Sequence, residues 1–307
     1  MTTNSSRTAV SLILALVEEI RPHQWAKNVL VFVPLVTSHR FFEMAKAQEC
    51  ALAFICLSLC ASSIYIINDL FDLATDRRHP TKCRRPLASG RFPLVLGPPL
   101  ALVLLTGGMG IALATGTRNL TICLFIYTTV SLAYSAWLKE YVLLDVFILA
   151  GLYILRIIAG GEATGIPISE WLMAFGLFFF LSLAFVKRYT ELSRFATTSI
   201  PPVMRRGYNA TDLNFIASIG CTSGYLAILI FALYINSPEM RQLYHRPLLL
   251  WLICPLLLYW ITYLWLKAKR NELAEDPILF VIQDRASLLI GSSVLAIIVL
   301  ASFKTLL

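Results

Sequence analysis

Nine apolar runs divide this chain, at residues 28–42, 50–71, 93–115, 119–138, 142–161, 170–189, 213–236, 248–267 and 287–306. Crossing a bilayer as an α-helix takes ~20 consecutive apolar residues, and each run comes near that length. The first is weak and interrupted by Pro34, so nine spans is the expected count and eight its main competitor. The fold class expected is an all-α integral membrane protein. Charged residues make up 14% of the chain, against about 25% in soluble domains. Residues 8–20 are too short to span and end in Glu18 and Glu19, as an interfacial helix lying on the membrane would. Arg21 follows at once, where a secretory signal would carry small residues for cleavage. Two regions are expected: an interfacial helix and cytoplasmic segment at 1–27, and a transmembrane domain at 28–307.

Lysine and arginine set the orientation. With a cytoplasmic N-terminus, the first segment and every second loop hold nineteen of the twenty-six basic residues, so those loops face the cytoplasm. That loop bias accounts for the net charge of +8 and leaves nucleic-acid binding a poor explanation. Six of the seven cysteines lie within apolar runs with no metal or disulfide spacing, as small buried hydrophobes do.

One stretch resists a purely topological reading. Residues Asn68 to Pro86 read N-D-L-F-D-L-A-T-D-R-R-H-P-T-K-C-R-R-P. Asn68, Asp72 and Asp76 share one face of a helix, and Asp69 lies on the same side. Basic residues beside a span are commonly a topology signal. Three carboxylates fused to an apolar run are costly unless a cation sits among them. Hard oxygen ligands suit Mg²⁺, above all where phosphate oxygens complete its shell. Arg77, Arg78, Lys82, Arg84 and Arg85 suit a polyanion beside that metal.

The other polar clusters gather on the same membrane side. Lys27 and Asn28 close R-P-H-Q-W-A-K-N before the first run, where Trp25 and Lys27 read equally as interfacial anchors. Tyr134, Ser135 and Lys139 end the fourth run, and Asp145 opens the fifth. Lys187, Arg188, Tyr189 and Glu191 end the sixth, while Asp276, Asp284 and Arg285 precede the ninth. Arg156 lies deep in the fifth run, either in a structural ion pair with Asp145 or Glu162 or as a phosphate clamp.

The Asn68–Pro86 stretch resembles the NDxxDxxxD signature of the UbiA superfamily of intramembrane prenyltransferases, with its HP-x-K-x-RP continuation. The resemblance implies a UbiA-like ring of about nine transmembrane helices around a central cavity. It implies Mg²⁺-bound diphosphate at the cytoplasmic side, held by Asn68, Asp69, Asp72 and Asp76. Typical members carry a second Asp-rich motif at the end of the sixth span. This chain has K-R-Y-T-E-L there, so phosphate is expected to meet cations in place of a second metal. That departure, with R-P-H-Q-W-A-K-N, Y-S-A-W-L-K and L-R-I-I-A-G-G, resembles the branch containing decaprenyl-phosphate phosphoribosyltransferase.

The resemblance implies transfer of 5-phosphoribose from phosphoribosyl pyrophosphate to a polyprenyl phosphate. Asp69, Asp72, Asp76 and Lys187 are the expected catalytic residues. Lys27, Asn28, Lys82, Arg85, Tyr134, Lys139, Arg156, Arg188, Tyr189 and Glu191 are the expected substrate contacts. The alternatives are an ordinary prenyltransferase acting on an aromatic acceptor, and a polyanion or lipid-phosphate transporter. No convincing internal repeat supports the transporter.

Overall fold

The computed structural model describes residues 2–115, 117–197, 207–273 and 277–302, so Asp276 lies outside the described residues. Among these, every regular element is helical. The α-helices are α1 (Thr2–Ile20), α2 (Val33–Thr37), α3 (Met44–Phe71), α4 (Leu73–Asp76), α5 (Pro86–Ser89), α6 (Gly97–Ala114) and α7 (Arg118–Ala136). They continue with α8 (Leu144–Thr164), α9 (Glu170–Thr197), α10 (Leu213–Ile235), α11 (Pro238–Leu243), α12 (Ile253–Lys269), α13 (Pro277–Gln283) and α14 (Arg285–Ser302). Eight described helical stretches are long and apolar enough to cross a membrane, and they coincide with the second to ninth apolar runs.

The chain forms two units, one of residues Met1–Lys139 and Leu155–Pro167, the other of Glu140–Ile154 and Ile168–Leu307. In the first unit α3 is the hub, packing against α1, α6, α7 and the segment before α2. It is apolar around its whole circumference, as a centrally buried helix must be. Small buried residues (Ala53, Cys56, Ser58, Cys60, Ala61, Ser62) let neighbouring backbones approach it closely. Ala15 of α1 packs with Ile66, Leu87, Phe92, Ala101 and Leu104, tying the N-terminal helix to the last turns of α3.

The first apolar run adopts no long α-helix. Pro22–Phe32 is an eleven-residue 3-10 helix, followed by only five residues in α2. Runs of 3-10 beyond three or four residues are uncommon, because the hydrogen-bond geometry is poorer. Tertiary contacts hold this one. Trp25 Nε1 donates to Ser62 Oγ at 3.0 Å, Asn28 Nδ2 donates to Ser58 Oγ at 3.0 Å, and Cys50 Sγ donates to the Val31 carbonyl. These partners descend α3 as the segment ascends, so the two run antiparallel. At ~2.0 Å per 3-10 residue and ~1.5 Å per α residue, the segment covers about 30 Å, one bilayer core. Gly160 of α8 permits this close seat, since a Cβ there would come within 1.9 Å of the Val31 carbonyl oxygen.

In the second unit α9 and α10 form the main pair, with α12 against both and α14 against α12. Ser182 Oγ donates to the Gly220 carbonyl at 2.7 Å and accepts from Trp265 Nε1 at 3.2 Å. A smaller cluster (Ile235, Met240, Tyr244, Leu250, Ile253, Ala301) closes the other end of this unit.

Candidate active site

The acidic motif sits where α3 gives way to α4. The helix pauses at Asp72 (φ −89°, ψ 3°) before α4 resumes it, while the Asp72 N–H still bonds the Asn68 carbonyl at 2.9 Å and the Asp76 N–H the Asp72 carbonyl at 2.8 Å. Aspartate favours such breaks by competing with helical backbone bonding. Asp72 thereby meets Lys139, whose Nζ lies 2.9 and 3.1 Å from its two oxygens. Asp69 and Asp76, both buried, converge instead on Arg85. A single nitrogen, Arg85 Nη1, stands 3.0 Å from Asp69 Oδ1 and 2.5 Å from Asp76 Oδ2. The other Asp69 oxygen is ion-paired to the Arg21 guanidinium. Burial pushes the Asp76 carboxyl above its usual range, while Arg85 and Lys82 pull it back. Asn68 is half-buried in the last turn of α3.

The basic loop after α4 is folded by His79. Its Nδ1 accepts the backbone N–H of Thr81 and of Lys82, each at 3.3 Å, closing the turn that brings Lys82 near Asp76. Arg77 donates to the Ala88 carbonyl and Arg91 to the Arg84 carbonyl, so the loop packs back on itself.

Among the described residues, no three carboxylate, cysteine or histidine side chains are grouped to hold a metal ion. The pair Asp69 and Asp76 nevertheless has the character Mg²⁺ uses, since that ion is commonly held by one or two carboxylates with substrate phosphates supplying the rest. The donors are hard oxygens, and both already bond one cationic nitrogen. These residues fit the ion.

Sequence reading missed two members of this cluster. Arg21 was legible only as the start of R-P-H-Q-W-A-K-N. It links α1 to the 3-10 segment in a left-handed conformation (φ 54°, ψ 59°), which costs a non-glycine residue roughly 1–2 kcal/mol. Its guanidinium also lies over the Tyr65 ring, 5.5 Å from the centroid. Glu19 reads in sequence as the polar end of an interfacial helix, yet it is buried and accepts the Leu87 N–H at 3.3 Å. Its other oxygen has no hydrogen-bond partner.

Burial, reinforced by Asp69 and opposed by Arg21 and Arg85, pushes the Glu19 carboxyl up to about 7 from 4.5. Between those values the unfolded carboxyl ionises while the folded one keeps its proton, so stability falls as pH rises and the loss is complete above pH 7. A shift of this size corresponds to about 3 kcal/mol. Glu19→Gln is therefore expected to raise the thermal midpoint at pH 8 and leave it nearly unchanged at pH 4.5. Equal shifts at both pH values would show that the group does not titrate this way.

Deeper in the first unit, Arg156 is buried and hydrogen-bonded. Its Nε donates to Asn28 Oδ1 at 2.9 Å and its Nη2 to Tyr127 Oη at 3.0 Å, with the guanidinium over the Tyr127 ring. Glu162 accepts from Asn119 at 2.7 Å. An amide and a phenol are thus among the groups that hold the arginine, and hydropathy gives no sign of either as its partner. Lys27 is buried in the 3-10 segment beside Asn28, and Tyr134 is half-buried in the last turn of α7.

The second unit carries its own polar cluster. Arg188, buried in α9, is ion-paired to the fully buried Asp145 and to Glu191 one turn on. Tyr208 Oη donates to Asp145 Oδ1 at 2.7 Å and accepts the Leu143 N–H at 2.8 Å. Burial and the neighbouring Asp145 hold the Tyr208 phenol well above its usual range. Lys187 is half-buried, and Tyr189 lies edge-on to Trp265 at 5.9 Å.

Comparison with known proteins fits this architecture. Residues 36–288 match the UbiA prenyltransferase family. An uncharacterized protein of Sinorhizobium fredii is 36% identical over 92% of this chain, which spans only 55% of that protein's length. The nodulation protein NoeC of Azorhizobium caulinodans is 34% identical, covering 88% of each chain. Decaprenyl-phosphate phosphoribosyltransferase of Mycobacterium tuberculosis is 35% identical over 72% of this chain and 75% of its own. Among solved structures, a UbiA homolog from Archaeoglobus fulgidus bound to GPP and Mg²⁺ superposes with TM-score 0.70 at 16% identity, covering 93% of this chain and 99% of that one. An aspartate motif at the end of α3, a multi-pass helical fold and these relatives lead to one assignment: the chain is a membrane transferase of the UbiA prenyltransferase family.

Proposed function

We propose that this transferase moves 5-phosphoribose from phosphoribosyl pyrophosphate to a polyprenyl phosphate, with Mg²⁺, at the cytoplasmic membrane face. The observation that carries the reading is the state of K-R-Y-T-E-L. Where a second acidic motif would stand, the acidic side chain Glu191 is taken up by Arg188. A site poor in available carboxylate and rich in cations favours a phosphate-bearing acceptor over an aromatic one. The phosphoribosyltransferase relatives support the same choice of donor.

Mg²⁺ at Asp69 and Asp76, with Asn68 and Asp72 nearby, would neutralise charge developing on the departing pyrophosphate. Lys82 and Arg85 grip the pyrophosphate, while Lys27, Asn28 and Arg156 present donors deeper in the same unit. Tyr134 in the last turn of α7 and Lys139 in the 3-10 turn just beyond it orient the donor. By the family resemblance Lys187 and Tyr189 would contact the lipid phosphate, while Arg188 is counter-ion to Asp145 and Glu191. One phosphate oxygen attacks C1 of the ribose as the C1–O bond to pyrophosphate breaks. The attacking oxygen is already anionic at neutral pH, so no general base is needed, and positioning with electrostatics supplies the rate.

The test is an assay of the purified full chain with Mg²⁺, labelled phosphoribosyl pyrophosphate and a polyprenyl phosphate. The expected result is a lipid-linked phosphoribose and one released pyrophosphate per turnover. Absence of that product, with transfer of a prenyl group from a polyprenyl diphosphate to an aromatic acid, would establish the alternative chemistry.

A further inference from the structure

Hydroxyls in the long helices of this protein share a habit. Thr106, Thr121, Thr164, Thr190, Thr222 and Thr262 each donate to the carbonyl four residues earlier, which satisfies them where water is scarce. Thr128 and Ser131 of α7 break it. They are only 6% and 5% exposed, and neither hydroxyl has a hydrogen-bond partner. The Cys60 thiol and the Tyr127 phenol stand close by, but not in bonding geometry with them. Each hydroxyl can donate once and accept twice, and leaving it buried and unpaired costs folding free energy. Native structures bear that cost where something else completes the group.

Their placement narrows what completes them. Lys139, three residues past the end of α7, holds Asp72, so this helix ends at the acidic motif. Ser131 and Thr128 lie five and eight residues before Ala136, about 8 and 12 Å back along the helix. Their three-residue spacing sets both on one face, about 5–6 Å apart at Cβ. Tyr127 beside them bonds Arg156, so the wall continues polar. An isoprenoid chain lying here would seal two unpaired hydroxyls away from water. A sugar brings neighbouring hydroxyls that donate and accept in return, and adds no charge. We propose that Thr128 and Ser131 bind the ribose hydroxyls of the donor, making this face of α7 the part of the site that reads the sugar. The inference rests on the phosphoribosyl donor proposed above, and supplies residues that tell it from a diphosphate carrying an isoprenoid chain.

The experiment measures binding, with no turnover. Labelled phosphoribosyl pyrophosphate and labelled inorganic pyrophosphate are each titrated onto the purified full chain with Mg²⁺ and no lipid acceptor. The unaltered protein is compared with Thr128→Val and Ser131→Ala, and is expected to hold the sugar diphosphate more tightly than pyrophosphate. Each substitution should weaken the sugar diphosphate about 5-fold, the scale of one hydrogen bond, and leave pyrophosphate unchanged. Thermal unfolding without ligand is the second readout. Removing an unpaired buried hydroxyl should hold or raise the midpoint, whereas removing a structural one lowers it. Variants that keep the full preference for the sugar diphosphate would overturn the inference and leave the donor standing. Variants that lose both ligands equally, with a lowered midpoint, would make the hydroxyls structural and overturn it as well. No preference for the sugar diphosphate in the unaltered protein, with a polyprenyl diphosphate displacing pyrophosphate, would sink the phosphoribosyl donor and this inference together.

Discussion

Asp69→Asn is expected to reduce transfer by about 10²–10³-fold, the scale seen when one preorganised charge-stabilising group is removed from an active site. Asp69 is the carboxylate on which two arginines meet, Arg21 at one oxygen and Arg85 at the other. Asparagine keeps its shape and one acceptor but removes the charge that holds a divalent ion. The loss should appear in turnover, in Mn²⁺ retention and in pyrophosphate retention together, because all three draw on the same oxygens. Asp72→Asn should lose less metal affinity, since Asp72 is turned toward Lys139 and away from the Arg85 nitrogen. Equal metal affinity in Asp69→Asn and the unaltered protein would place the metal elsewhere.

Arg188→Met is expected to cost about 3–5 kcal/mol, because it strands a buried carboxylate. Asp145 is fully buried and bonded by Tyr208, which cannot replace a cation. The double variant Arg188→Met with Asp145→Asn should recover most of that loss, since the asparagine still accepts from Tyr208 and the carboxylate left behind, Glu191, is partly exposed to solvent. Thermal unfolding in detergent reads both. Activity separates two roles that stability alone would merge. Recovered stability with recovered transfer marks Arg188 as a counter-ion, whereas recovered stability without transfer returns it to the lipid phosphate. A single variant as stable as the unaltered protein would contradict the ion pair itself.

Much of the architecture was open to sequence reasoning because apolar runs of bilayer length leave few alternatives, and the second to ninth runs all became long helices. The aspartate motif was equally legible, since clustered carboxylates beside an apolar span demand a cation. The pairings were not. Spacing alone places Asp69, Asp72 and Asp76 together, but the pause at Asp72 sorts them, sending one to Lys139 and two to Arg85. Arg156 illustrates another limit: two of its partners, Asn28 and Tyr127, are uncharged and distant in sequence, so a search for opposite charge overlooks them. Glu19 escaped because nothing in an amphipathic stretch distinguishes a carboxylate facing water from one folded under Leu87.

The 3-10 segment has a consequence for how the chain is made. Its seat is built from α3 and from Arg156 and Gly160, and Arg156 is synthesised 128 residues after the Asn28 it grips. When this segment leaves the ribosome, the apolar run it opens, short and broken at Pro34, is too weak to partition into lipid unaided. α3 offers Ser58 and Ser62 early, but the hydrogen-bonded place is complete only once α8 brings Arg156 to Asn28. The seating of this segment is therefore completed late, by a helix that follows it in the chain.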